Sequence, residues 1–194
     1  MSLITNAARK ILNEPDPVFQ VLAGLGRKAR VRGYYTRAEF LLVCYWKSRR
    51  HIGRCASNTE REVRVATSKA FAVDTERGRI EALLALNGVA VPTASALLAA
   101  ANPKAFGVID IRAWQFLYSA GMVNRNKAGR SLSINNWLEY LPILRSVSKT
   151  VGTSARLVEI ALYKAHKKRS KEPLYSGSRA SNTASQRTAV SGRR

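Results

Sequence analysis

The segment from residue 83 to residue 114, LLALNGVAVPTASALLAAANPKAFGVIDIRAW, constrains the fold more than any other part of the chain. It begins with apolar residues at helical spacing that end one helix. Residues 87–90, Asn-Gly-Val-Ala, then form a tight turn, in which Gly88 can take a positive φ without steric cost. Pro92 suits the first turn of a second helix of small residues over 92–101. The segment therefore predicts two helices joined by a hairpin turn.

The backbone of this turn is suited to binding an oxygen anion such as a DNA phosphate. If Val89 turns inward to the core, the N–H groups of the turn and of the next helix point outward together. An array of N–H groups at a helix N-terminus binds anions. Pro92 contributes no N–H to this array. The candidate phosphate-binding residues are Gly88, Val89, Ala90, Val91, Thr93 and Ala94.

Asp110 is the candidate for chemistry in this segment. It follows an apolar pair and stands directly before a third helix, which we expect to begin near Ile111 and to end at Gly121. Aspartate at this position is commonly a helix N-cap. A carboxylate at a helix start can also face a bound ligand, and the local sequence leaves both interpretations open.

The charge of the chain indicates a polyanionic partner. Lysine and arginine together number 33 and aspartate and glutamate 12, so the net charge is 33 − 12 = +21. Such an excess favours DNA, RNA or an anionic membrane surface. The length of 194 residues and the hydrophobic content of 46% suit one globular domain.

The cysteine content excludes two kinds of metal centre. Cys44 and Cys55 are the only cysteines, too few for a four-cysteine iron–sulfur cluster. Together with His51 and His166 they do not form a zinc-binding pattern. We expect no metal and no cofactor, with a monovalent cation at the hairpin left open. The two thiols are expected to be free in a reducing cytosol, with a disulfide as the alternative.

Helical spacing and capping signals recur along the chain, and no strand pattern is convincing, so we predict an all-α fold. Basic residues 27–32 are interpreted as a solvated loop or a phosphate contact. Pro142 is expected to kink or split its helix. The other helices are expected over 3–12, over 18–25 with an end at Gly24 or Gly26, over 37–47, from a cap at Ser57 or Asn58 to 71, from a cap at Asp74 into the hairpin, from Ser133 to Gly152, and over 155–168.

The domain is expected to span residues 1–168, with the hairpin motif at 83–98. From residue 169 onward serine, threonine, alanine, glycine and arginine dominate and apolar residues nearly vanish. This composition predicts a disordered basic tail over 169–194. The tail either adds salt-dependent affinity for phosphates or only solubilises the chain.

Several aromatic and basic residues are candidates for stacking on bases or contacting DNA. Rings stack on bases and cations meet phosphates in nucleic-acid complexes. Each aromatic at helical spacing is equally explained by packing in the core. The candidates are Tyr34, Tyr35, Trp46, Lys47, Arg112 and Trp114.

The pattern Leu83-x-x-Leu86-x-Gly88-Val89-Ala90-x-x-x-Ala94-x-x-Leu97 resembles the helix-hairpin-helix motif. The following Val108-Ile109-Asp110-Ile111-Arg112 resembles the segment that carries the catalytic aspartate in the helix-hairpin-helix (HhH-GPD) DNA glycosylases. The resemblance implies a base-excision-repair enzyme that flips a nucleotide out of double-stranded DNA and cleaves its base–sugar bond with Asp110. The alternatives are a noncatalytic protein with the same fold and an RNA-binding or nucleoid-structuring basic protein.

The same resemblance bears on the reaction type. Bifunctional members of that superfamily carry a lysine near the start of the second hairpin helix, which attacks the sugar. The matching position here is Pro92 or its neighbour, and no lysine lies between Gly88 and Ala101. The resemblance therefore implies a monofunctional enzyme that uses water. We expect a monomer in the cytoplasm, associated with the nucleoid. We expect no membrane association, because the sequence has neither a long apolar run nor a secretory signal.

Overall fold

The computed structural model describes residues 4–6 and 16–169. Residues 4–6 are helical, and the rest of the helix expected over 3–12 lies outside the described residues. The basic tail expected over 169–194 also lies outside them, except for its first residue.

All regular structure within residues 16–169 is helical, which confirms the all-α prediction. In chain order the elements are α1 (Pro17–Arg32), α2 (Arg37–Lys47), a 3-10 turn (Arg49–His51), α3 (Ile52–Ala56), α4 (Glu60–Ala72), α5 (Glu76–Leu84), α6 (Val91–Ala101), α7 (Ile111–Ser119), α8 (Ile134–Val151) and α9 (Ala155–Arg169). No helix among these residues is both long enough and apolar enough to span a membrane.

Helix α6 is the centre of the core. Every one of its residues except Pro92 is buried. Helices α1, α2 and α5 pack against it, and α1 comes closest at Gly26, where an added Cβ would lie 2.2 Å from the carbonyl oxygen of Ala100. Small side chains on α6 allow this approach, because a larger residue at the contact would hold the two backbones apart.

The prediction that α1 ends at Gly24 or Gly26 is wrong. The helix runs from its N-cap Asp16 to Arg32 and ends at Gly33, which has φ of +92°. Gly26 is the contact point with α6 and not a helix end. The basic residues 27–32 therefore lie on the last turns of a helix and not in a loop.

Of the two outcomes expected at Pro142, a kink or a split of its helix, the split is wrong. Helix α8 is one element from Ile134 to Val151, with Pro142 inside it. Pro142 is exposed. Solvent can therefore satisfy the carbonyl group four residues earlier, which proline leaves without a donor.

Two capping assignments also differ from the sequence prediction. Thr59 caps α4 through a capping box with Glu62, in place of Ser57 or Asn58. Thr75 caps α5, in place of Asp74. Each cap lies one residue after the nearest predicted candidate. Local sequence does not fix the end of a helix to one residue.

Replacing Gly26 by alanine should destabilise the protein, because the new methyl group would overlap the backbone of α6 at Ala100. Overpacking of this kind costs about 1–3 kcal/mol or more. Gly24→Ala is the matched control, since an added Cβ there meets nothing within 4 Å. The control should gain about 0.5–1 kcal/mol from helix propensity. Urea unfolding followed by circular dichroism measures both changes, and equal effects would contradict the close contact.

Candidate functional site

The hairpin between α5 and α6 rests on α3. Gly88 has φ of +76°, and a Cβ there would lie 2.7 Å from the backbone nitrogen of Cys55 and 2.8 Å from the Cβ of Arg54. The position therefore requires glycine both for its backbone conformation and for the space. The sequence suggested that position 88 needs glycine, and the close contact with α3 explains why.

A buried asparagine holds the start of the hairpin. The amide nitrogen of Asn58 donates to the carbonyl of Asn87 at 2.9 Å, and its amide oxygen accepts from the N–H of Asn87 at 2.9 Å. Asn58 is 2% exposed. Both backbone groups of the first turn residue are therefore paired by one side chain, which fixes the turn against α3.

The N–H groups of the hairpin differ in whether they already have an acceptor. The N–H groups of Thr93 and Ala94 are bonded to the carbonyl of Ala90, at 2.8 and 2.9 Å. These two are therefore wrong as phosphate donors, and the Thr93 side chain is also buried.

Val89 is buried as predicted. Its N–H bonds to the carbonyl of Leu86 at 3.2 Å, so Val89 is also wrong as a phosphate donor. Among the described residues, the N–H groups of Gly88, Ala90 and Val91 have no acceptor.

One cation lies beside this hairpin. Arg54, whose Cβ lies next to the position of a Cβ at Gly88, is exposed. Unpaired N–H groups beside a guanidinium group form a surface suited to an oxygen anion.

The extended segment before α7 is fixed by buried side chains from three helices. The N–H of Val108 donates to the carboxylate of Glu159 at 3.2 Å, and the carbonyl of Val108 accepts from the hydroxyl of Tyr140 at 3.1 Å. The N–H of Ile109 donates to the hydroxyl of Ser95 at 3.1 Å. Because Ser95 belongs to α6, the segment and the hairpin helix are joined by a direct hydrogen bond.

Asp110 directly follows this segment and caps α7. Its Oδ1 accepts the N–H of Ala113 at 2.8 Å. The helix-cap interpretation is therefore correct for this oxygen. The side chain is partly exposed, and Oδ2 has no hydrogen bond or ion pair within the described residues. The same carboxylate thus has one oxygen committed to the helix and one free for a ligand.

The charge of the Asp110 carboxylate acts on three basic groups and on one tyrosine. Burial lowers the pKa of Lys47, Arg156 and His166 and raises that of Tyr140. The negative charge of Asp110 acts on all four groups, and in each case it raises the pKa. We call Asp110, Lys47, Arg112, Arg156 and His166 the Asp110 cluster.

Arg112 and His166 form one side of the Asp110 cluster. After burial, the charge of Arg112 is the next cause that lowers the pKa of His166. One guanidinium nitrogen of Arg112 and Nδ1 of His166 are buried atoms with no hydrogen-bond partner within the described residues. Buried polar atoms usually have partners, so these two are candidates to bind a ligand.

Arg156 is a buried cation with fixed partners. Its guanidinium pairs with Glu159 and lies 3.8 Å from Asp16. It also lies over the rings of Phe19 and Trp46, at 4.2 and 5.3 Å from their centroids. These contacts make Arg156 a structural member of the Asp110 cluster, since its charge is already balanced by carboxylates.

Two of the predicted stacking residues belong to the core, so that prediction is wrong for them. Tyr35 is fully buried, and its hydroxyl donates to the carbonyl of Leu97 at 2.9 Å. Trp114 is also fully buried, and its indole N–H donates to the carbonyl of Asn126 at 2.9 Å. Neither ring can stack on a base without unfolding its surroundings.

The other two aromatic candidates are partly exposed but have neighbours on their rings. The guanidinium groups of Arg32 and Arg64 lie 4.9 and 4.2 Å from the ring centroid of Tyr34. The ring of Trp46 packs on Phe19 at 5.4 Å. Trp46 is thus closest to the Asp110 cluster, through Arg156, whereas Tyr34 lies among surface arginines.

Sequence reasoning missed the residues that hold the candidate site in place. Asn58, Ser95, Tyr140 and Glu159 act on partners 14 to 51 residues away in the chain. No local pattern marks such pairs. The position of Glu159 on the apolar face of the last helix was the one available signal. A glutamate is seldom buried without a partner.

Among the described residues, no group of histidine, cysteine, aspartate and glutamate side chains is arranged to hold a metal ion. Cys44 and Cys55 are buried free thiols next to each other.

No protein-family model matches this chain. No curated protein and no solved structure matches it either.

Lowering the pH should destabilise the folded state through His166. Its pKa is lowered by burial, so protonation near the ordinary value of about 6.5 favours the unfolded chain. The stability that neutral His166 contributes is fully present above pH 6.5, the pKa in the unfolded chain. It is lost as the pH falls from there through the lower pKa of the folded state. His166→Gln should remove this part of the pH dependence between about pH 7 and 5. His51 is the only other histidine and is exposed, so His51→Gln is the control. Urea unfolding at several pH values measures the effect, and identical profiles for the two variants would refute it.

Proposed function

We propose that this protein binds double-stranded DNA through the hairpin and hydrolyses the base–deoxyribose bond of a flipped nucleotide, with Asp110 as the catalytic carboxylate. The observation that carries the proposal is the arrangement of Asp110. Its Oδ1 is fixed by the helix, its Oδ2 has no partner among the described residues, and its backbone is tied to the hairpin helix through Ser95. A carboxylate and a phosphate-binding turn are thereby held in a constant relation.

The reaction accounts for the need for such a carboxylate. When the base leaves, positive charge develops on the sugar, as in glycoside hydrolysis generally. A fixed carboxylate near the anomeric carbon stabilises that charge and orients the attacking water. The hydrogen bond from Ala113 sets the direction of the Asp110 side chain before the substrate arrives. This arrangement supports a monofunctional reaction, because the hairpin helix supplies no lysine.

The cations of the Asp110 cluster suit a nucleic-acid substrate. Lys47 and Arg112 are both partly exposed. The charge of Asp110 acts on Lys47, and the charges of Asp110 and Arg112 both act on His166. Phosphates on either side of a flipped nucleotide would meet these charges, which compensates for the repulsion between Asp110 and the DNA strand.

The hairpin would bind the strand without reading its sequence. The N–H groups of Ala90 and Val91, which have no acceptor among the described residues, and the guanidinium of Arg54 would bind one phosphate. The net charge of +21 would add affinity that depends strongly on salt.

A noncatalytic DNA-binding protein is the second candidate, and one observation favours it. Asp110 already has a structural role as the cap of α7, which would preserve the residue without any reaction. In that case the hairpin alone carries the function.

Asp110→Asn should abolish base release and leave duplex binding unchanged, because asparagine still caps the helix but carries no charge. We expect a loss of at least about 100-fold in rate. The assay incubates the protein with duplexes that contain damaged or mismatched bases and then reveals abasic sites with alkali. Asp74→Asn, at an exposed position, is the control. No release of any base by the wild-type protein across a broad panel would favour the noncatalytic candidate.

Arg54→Gln should weaken duplex binding to a similar degree for every sequence, since a phosphate contact is lost. The slope of the logarithm of affinity against the logarithm of salt concentration should become shallower by about 1. Lys149→Gln, an exposed change at the end of α8, is the reference for general charge loss. Fluorescence anisotropy at several salt concentrations gives both slopes, and equal losses for the two variants would argue against a hairpin contact.

A further inference from the structure

A cavity of about 280 Å³ lies at the C-terminal end of α6, at the end of that helix remote from the hairpin. Its polar lining consists mainly of Arg30 from α1, Glu76 and Arg79 from α5, and Arg145 from α8. Phe106 forms part of an apolar wall. The length of α6, about 1.5 Å for each of its residues, separates this cavity from the hairpin by more than a phosphate group spans. The cavity is therefore a different site from the one proposed above.

The charge of the cavity favours an anion. Three guanidinium groups and one carboxylate give 3 − 1 = +2. The C-terminus of α6 contributes a negative dipole end, equivalent to roughly half an elementary charge, which is too small to cancel this. Arg30 is exposed, and among the described residues it has no hydrogen bond or ion pair. Its charge is therefore available to a ligand.

Two of the arginines are held in fixed orientations. One terminal nitrogen of Arg79 donates to the carbonyls of Ala70 and Phe71 at 3.1 and 3.3 Å, at the end of α4. Nε of Arg145 donates to the carbonyl of Ala105 at 3.0 Å. A guanidinium group fixed in this way loses little freedom when it binds an anion.

The cavity also contains an unmatched donor and an unmatched acceptor. Nε of Arg79 and Oε2 of Glu76 are buried atoms without hydrogen bonds within the described residues. They form an ion pair at 4.0 Å, which is too long for a hydrogen bond. The other Glu76 oxygen is taken by Arg145 at 2.7 Å. A ligand oxygen that enters between these two side chains can satisfy both buried atoms only if the ligand accepts one hydrogen bond and donates another.

We propose that this cavity binds a protonated phosphate group, as inorganic phosphate or as the terminal phosphate of a nucleotide or nucleic-acid strand. Phosphate oxygens accept hydrogen bonds from Arg79 and Arg30, and the P–OH group donates to Glu76. An internal phosphodiester has no P–OH group, and neither does sulfate at neutral pH. Glu76 therefore selects phosphate over sulfate, because its carboxylate repels an anion that brings no proton.

The test is a titration of the full-length protein at pH 6.5 with inorganic phosphate and with sulfate, at constant ionic strength. The signal is the Nε–H resonance of Arg79 in nitrogen–proton NMR spectra. The shift of this resonance should follow a one-site binding curve that saturates with excess phosphate. Sulfate should bind at least about tenfold more weakly, as expected for an unpaired charge at the site. No saturable shift with phosphate, or equal affinity for both anions, overturns the proposal.

Variants assign the effect to the cavity. Arg30→Gln should weaken phosphate binding about tenfold, because a charge-assisted hydrogen bond is lost. Arg27→Gln, which removes an equal charge from an exposed position outside the cavity on the same helix, should leave binding unchanged. Glu76→Gln should raise the affinity for sulfate towards that for phosphate, since the amide can donate where the carboxylate repelled. If Arg27→Gln and Arg30→Gln weakened phosphate binding equally, the binding would result from general surface charge. That outcome would refute the site.

Two further probes show whether the phosphate belongs to a free nucleotide or to a strand end. Adenosine 5′-monophosphate tests a free nucleotide, and a 5′-phosphorylated oligonucleotide compared with its 5′-hydroxyl form tests a strand end. A shift of the Arg79 resonance with the phosphorylated strand but not with the hydroxyl form assigns the site to strand ends. A shift with inorganic phosphate and the mononucleotide alone assigns it to small molecules.

Discussion

Burial of α6 is the constraint on which the rest of the structure depends. A helix with almost no exposed surface must meet neighbours on all sides, and only small residues let several helices approach it closely. Its contact with Gly26 of α1 brings two backbones within a distance that no other residue allows. Both candidate ligand sites take their positions from this helix, the hairpin at its N-terminus and the arginine-lined cavity at its C-terminus.

The hydrogen bond from the N–H of Ile109 to the hydroxyl of Ser95 joins the segment before Asp110 to the buried helix α6. Asp110 is therefore held in a fixed position relative to α6. The opposite side of the same segment is held by Glu159, which is buried with Arg156 as an ion pair. A buried ion pair gains little stability over apolar packing, but removal of one partner is costly because the other charge stays buried. The pair is therefore best understood as a device that fixes one backbone arrangement before α7. The hydrogen bond from Val108 to Glu159 offsets part of the cost of burying the pair, and it helps to position the Asp110 carboxylate.

Local sequence signals were sufficient for the elements whose causes are local. The helix over 37–47, the start of α8 at Ser133 and the end of α8 at Gly152 lie where the sequence predicts them. The positive φ of Gly88 and the burial of Val89 agree with the predicted hairpin. Predictions failed where the same residue type serves two purposes. Gly26 resembled a helix terminator and is a packing contact, and the Tyr35 ring resembled a base-stacking platform and is core.

The sequence alone thus determined the helical class, the turn at Gly88 and the start of a helix after Asp110, because backbone preference and capping act within a few residues. Only the tertiary structure decided which donors of the hairpin are free, which cations surround Asp110 and which aromatic rings are buried. It also brought together Arg30, Glu76, Arg79 and Arg145, which are distant in the chain. Such groupings depend on how helices pack around α6, and packing is a property of pairs of residues far apart in sequence, which no single segment contains.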